Sequence, residues 1–124
     1  VKKYVIHVNP VPKPRMTSRD KWEKRPIVQR YWAYKDEIIL RFKLLGFSTL
    51  PGHISLLHFV MQMPQSWPES KKARLDGQPH QQVPDLSNML KGIEDCMCKD
   101  DSHIWRYDSL EKRWGRKGQI IIGI

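Results

Sequence analysis

Between Pro84 and Ile104 the chain reads P-D-L-S-N-M-L-K-G-I-E-D-C-M-C-K-D-D-S-H-I, a helical pattern with carboxylates at both ends. Leu86, Met89, Leu90, Ile93 and Met97 fall on one helical stripe. Asn88, Lys91 and Asp95, spaced by three and four, fall on a different face. Asp85 stands at the natural N-cap, where its side chain can accept from the unpaired N–H groups of the first turn. Pro84 before it favours an extended approach. After the helix, Lys99-Asp100-Asp101 leads into Ser102-His103-Ile104-Trp105, which reads as a strand. The carboxylates at the two ends can meet only through tertiary folding. Oxygen ligands from separate segments, with room left for water and phosphate, are what a hard divalent cation takes. The same spacing also admits a capped helix followed by an acidic turn.

Charge separates these readings. The net charge is +9 over 124 residues, but it is unevenly spread. Residues 1–48 hold 12 Lys/Arg against 4 Asp/Glu, whereas residues 85–101 hold 2 against 5. A basic surface attracts polyphosphate, and an acidic island within it repels polyphosphate unless a cation intervenes. That contrast points to a metal-dependent nuclease over a protein that merely coats DNA. The length suits one domain with a modest core. No run is long enough to span a membrane, and the N-terminal residues lack a signal-peptide core. Cys96 and Cys98 point in different directions on the predicted helix and cannot easily bridge, so a reducing, cytoplasmic setting is expected. Zinc is not expected, because no second Cys/His pair has ligand spacing.

The rest of the chain predicts an α+β fold. Lys3 to Asn9 reads as a strand. Pro10 to Thr17 carries three prolines and must be an extended loop, with Lys13 and Arg15 on it. Arg19, Lys21, Lys24 and Arg25 then surround Trp22, a basic and aromatic mixture suited to phosphate contact with base or sugar packing. Trp22 serves equally well as a cap on the core. Ile27 to Phe47 is the longest helical pattern, with an aromatic stripe that belongs in the core and Gly46 near its C-cap. His53 to Met63 reads as a buried strand. Ser66-Trp67-Pro68-Glu69 matches a capping box opening a short helix through Leu75, on which Lys71 and Lys72 lie. Those lysines either face DNA or cover a solvated helix. His80, five residues before Asp85, could approach a metal site there but reads more readily as a surface loop residue. Ser102 to Tyr107 reads as a strand, Asp108 to Gly118 as a basic hairpin or loop, and Gln119 to Ile124 as a terminal strand. Strands at both ends with helices between give a mixed sheet with helices mainly on one face.

With these residues in view, the chain resembles the RusA-type Holliday-junction resolvases, largely phage and prophage enzymes. The matching positions are Asp85, Asn88, Lys91, Asp95, Asp100, Asp101 and Ile104, and the likeness extends upstream to Pro-Lys-Pro-Arg-Met. Ser87 departs from the pattern, where the family usually has a second aspartate. The resemblance implies a homodimer that cuts branched DNA at four-way junctions, in recombination and repair. It implies Mg²⁺, with Mn²⁺ as a substitute, held by Asp85 and Asp101. Asp100 is either a further ligand or an orienter of the loop. Lys91 is expected to stabilise charge on the phosphate; its spacing also suits an i,i+4 pair with Asp95, and both can hold together. Ser87, Asn88 and Asp95 are expected to hold ligands or waters around it. Lys13, Arg15, Arg19, Arg25, Lys71 and Lys72 are the expected DNA contacts. Structure-specific DNA binding without catalysis, and a general nuclease on the same scaffold, are the competing expectations.

Overall fold

Three consecutive isoleucines near the C-terminus have the β-branched character that favours a pleated sheet. In the computed structural model, which describes residues 1–15, 17 and 25–124, they form strand β4 (Gln119–Gly123). Arg19, Lys21, Trp22 and Lys24 lie outside the described residues. β4 is flanked by β1 (Lys3–Ile6) and β2 (His53–Gln62), antiparallel to both. β2 pairs in parallel with β3 (Arg106–Gly115), giving a mixed sheet of order β1-β4-β2-β3. The α+β expectation with a mixed sheet is therefore borne out. Ile120, Ile122, Leu57 and Phe59 are fully buried. At about 2 kcal/mol per buried side chain, such residues outweigh any local preference along the strands.

The described residues form two compact units. The first comprises Val1–Pro10, Pro51–Val83 and Ser102–Ile124, and holds the sheet and a short helix, α2 (Glu69–Leu75). The second comprises Val11–Leu50 and Pro84–Asp101. It is built from α1 (Pro26–Leu44) and α3 (Leu86–Met97).

In the second unit, Val28, Tyr31, Tyr34, Ile38 and Phe42 form the buried face of α1, close to the stripe expected. The helix ends at Leu44, three residues short of the prediction, because Gly46 turns left-handed at φ 93°. Gly46 N–H then donates to Lys43 O at 3.0 Å and Phe47 N–H to Phe42 O at 2.9 Å, a Schellman cap. The ring of Phe47 meets Phe42 edge-on at 6.2 Å. On α3 the buried residues are Met89, Gly92, Ile93, Cys96 and Met97, so the core face is turned slightly from the apolar stripe. The reason is Gly92. A Cβ there would stand 3.1 Å from Val11 O and 3.2 Å from Lys13 N, tighter than ordinary contact, so glycine lets the proline-rich loop lie this close to the helix. Tyr31 adds a hydrogen bond from its hydroxyl to Gly92 O at 2.9 Å.

The first unit departs from expectation at four places, the last of them His80. The capping box at Ser66 does not form. The N-cap of α2 is Pro68, with no side-chain capping bond. Asp108 to Gly118 is mostly strand, not hairpin or loop: β3 runs to Gly115, and β3 and β4 lie on opposite sides of β2. The predicted strand from Ser102 begins instead as a 3-10 turn (Asp101–His103). Ladder bonds to β2 hold these charged residues extended, a gain invisible in their own pattern.

His80 is buried, not a surface residue; it is 6% exposed. Gly77 N–H donates to Trp114 O, Trp114 N–H to Gln78 O, and His80 N–H to Lys112 O, each at 2.9 Å. This segment thus straps the outer edge of β3, which would otherwise present unpaired backbone. The His80 ring lies 4.2 Å from Trp114, which in turn packs 4.9 Å from Trp67. Burial, and after it Lys112, holds the His80 pKa below its ordinary 6.5. The fold therefore accommodates the neutral ring. Stability present above the unfolded value is lost as pH falls through the folded one. The melting temperature should drop below about pH 6.5. His80→Phe, which keeps a ring on Trp114, should flatten part of that drop. His58 contributes as well, since burial lowers its pKa too. An unchanged pH slope in His80→Phe would exclude His80 as the responsive group.

Candidate active site

Asp85, Ser87, Asn88, Lys91, Asp95, Asp100 and Asp101 all lie in the second unit. Asp85 occupies the N-cap of α3 with extended backbone (φ −65°, ψ 146°). Its carbonyl accepts from Met89 N–H at 3.1 Å, but its side chain makes no capping bond. The N-cap position is as expected; the side-chain cap is not. The exposed carboxylate is therefore not committed to the helix. Ser87 and Asn88 follow on the exposed first turn, and Asn88 O accepts from Lys13 N–H at 3.2 Å. That bond pins the proline-rich loop to the start of α3.

One helical turn further, Lys91 is the hub. Its Nζ lies 3.0 Å from Asp101 Oδ2 and 3.3 Å from Asp95 Oδ1. Asp95 also accepts from Lys13. The result is an alternating chain, Lys13–Asp95–Lys91–Asp101, drawn from the loop, the helix and the segment beyond it. Cys98, the C-cap, is extended (φ −126°, ψ 131°) and ends the helix, so Asp100 and Asp101 lie beyond it in chain order. α3 is about 18 Å long by its residue count. Asp101 is nonetheless brought back beside the helix's middle, as the lysine contact requires. Partial burial disfavours the Asp95 carboxylate, but the Lys13 hydrogen bond, then Lys91, outweighs it and holds the pKa below the usual range. Asp101 first, and Asp95 after it, raise the Lys91 pKa, so its ammonium stays charged across the neutral range. The Lys91 side chain is 53% exposed, so these pairs orient it more than they stabilise the fold.

Among the described residues, no group of three or more His, Cys, Asp or Glu is placed to hold a metal ion. Magnesium commonly takes only one or two carboxylates, with water and phosphate completing its shell. Asp85, uncommitted to the helix, and Asp101 are hard oxygen donors of the right kind, so the donor chemistry fits. Asp100 is exposed in the segment before the 3-10 turn.

The expected DNA contacts divide. Lys13 is held by Asp95, Arg25 Nη2 donates to the Arg15 backbone carbonyl at 2.9 Å, and Arg15 itself is exposed. Arg19 lies outside the described residues. Lys71 and Lys72 belong to the first unit, where Lys71 Nζ sits 4.0 Å over the Trp67 ring. Three other lysines escaped the sequence reading. Lys35, Lys43 and Lys99 line a groove of about 780 Å³ with Lys13 and Asp95. The spacing of Lys35, Ile39 and Lys43 by four on α1 was the available signal.

A family model described as Endodeoxyribonuclease RusA matches residues 7–124. Comparison with curated proteins and with solved structures gives no match.

Proposed function

This chain belongs to the RusA endodeoxyribonuclease family, and we propose that it cleaves four-way DNA junctions by phosphodiester hydrolysis at the Asp85–Lys91–Asp101 site. The observation that carries the reading is Lys91, charged and oriented between Asp95 and Asp101 inside the matched region. Mg²⁺, or Mn²⁺ in its place, would be held by Asp85 and Asp101, with Asp100 as a further ligand or an orienter of the loop. Such a cation supplies Lewis acidity toward a phosphate oxygen and makes a bound water more acidic. Lys91 presents a compact positive charge to the phosphate as negative charge develops there. Asn88 holds the loop that carries Lys13, and Asp95 keeps both lysines in place. A homodimer would set two such sites on opposing strands, in recombination and repair within the cytoplasm. Among the described residues, no helix is long and apolar enough to cross a membrane.

Nicking of a synthetic four-way junction against a linear duplex, with and without Mg²⁺ or Mn²⁺, tests this. Cleavage of the junction only with the cation is expected; equal cutting of both substrates points to a general nuclease. Junction binding with no cleavage favours the second reading, a non-catalytic binder. One observation motivates that reading: Ser87 stands where the family usually has a carboxylate.

Ser87 gives a further expected result. A hydroxyl can hold a water but adds no charge, and the positive end of α3 compensates a missing carboxylate by no more than about 1 kcal/mol. Ser87→Asp should lower the Mg²⁺ concentration for half-maximal cleavage. Ser87→Ala should cost less activity than loss of Asp85. An unchanged metal requirement in Ser87→Asp would mean the serine serves another purpose.

A further inference from the structure

We propose that the groove beside Asp95 is a track for the sugar–phosphate backbone of one DNA arm, with Lys35, Lys43 and Lys99 as its phosphate contacts. The proposal rests on the nuclease reading above and extends it away from the acidic site. The groove's cations come from three separate segments: Lys13 from the proline-rich loop, Lys35 and Lys43 from α1, and Lys99 from beyond α3. Among the described residues its one lining carboxylate, Asp95, is already neutralised by Lys13 and Lys91. A phosphate in the groove therefore meets positive charge with little opposing it. Like charges that line one groove repel each other within a Debye length, and a polyanion relieves that cost.

The shape favours a strand over a small anion. Lys35 and Lys43 are separated by eight residues of α1, about 12 Å along its axis. Ile39 lies between them and Phe47 lines the same wall, an apolar floor for sugars. Lys35 is steadied over the Trp32 ring at 5.4 Å. The Lys13–Asp95–Lys91–Asp101 chain joins this groove to the acidic site, so a strand lying here is continuous with a phosphate at Lys91.

Cys98 reports on the groove directly. It lines the wall, half-buried, while Cys96 is buried and its thiol is pushed up to about 11. Iodoacetamide should therefore read Cys98 and leave Cys96 largely unmodified. In the full chain without divalent cation, a four-way junction at about ten times its Kd should slow Cys98 alkylation about tenfold. Inorganic phosphate at matched phosphate concentration should not. The triple variant Lys35→Gln, Lys43→Gln, Lys99→Gln should lose the protection and reduce the salt slope of binding by about 2–3. Protection by inorganic phosphate alone would show an anion pocket and overturn the track. Junction binding that leaves Cys98 equally reactive overturns the track but spares the nuclease reading. A wild-type chain that does not bind the junction overturns both. The wild-type protection assay stands even if the triple variant folds poorly.

Discussion

Asp85→Asn and Asp101→Asn are each expected to lower junction cleavage by about a thousandfold or more, while binding persists or tightens. Lewis-acid stabilisation of the transition state is worth several kcal/mol, and each 1.4 kcal/mol is about tenfold in rate. Binding moves the other way, because each variant removes a negative charge that repels phosphate. The Asp101 variant also breaks the pair with Lys91. Both partners are well exposed, at 53% and 37%, so water screens the pair and the fold should lose little. A melting temperature close to wild type therefore accompanies the lost activity. Single-turnover cleavage at saturating Mg²⁺ is the measurement, and near-normal rates in either variant would refute the assignment.

Lys91→Met is the second large effect. Two roles compete for this lysine, and they predict opposite results. As a counter-charge for Asp95 and Asp101 alone, its loss would release carboxylate for the metal. Cleavage at saturating Mg²⁺ would then hold while the Mg²⁺ requirement fell. As a group acting on the phosphate, its loss removes a charge aimed at the transition state, worth about 10²–10³ in rate. The second outcome is expected, because α3 carries Lys91 on an exposed face, where its ammonium stays reachable beside both aspartates. Its raised pKa keeps it cationic, so it acts as a fixed charge and not as a base near neutrality. Lys91→Arg should restore part of the rate, because charge returns but the planar guanidinium does not reproduce a compact ammonium. Full activity of Lys91→Met with a lowered Mg²⁺ requirement would assign it the counter-charge role alone.

What the sequence by itself determined follows from signals that are local. The stripe of α1, the isoleucines of β4 and the N-cap position of Asp85 are periodicities or propensities within a few residues, and all appear in the fold. Asn88, Lys91 and Asp95 share a helix face by spacing alone, so the pair of Lys91 with Asp95 was legible as well. The tertiary structure decided what depends on residues far apart in the chain. β3 is a strand because β2 supplies its ladder; its own sequence, R-Y-D-S-L-E-K-R-W-G, carries too many charges to announce one. His80 is buried because its segment straps β3 and stacks on Trp114, and a polar loop gives no hint of that. Lys13 meets Asp95 across 82 residues, and Gly92 permits that approach by lacking a Cβ. The groove lysines come together in the same way, from segments far apart in the chain. Periodicity is written in neighbouring residues, whereas the partner of a charge or of a strand edge is chosen by chain closure, whose gain no single segment contains.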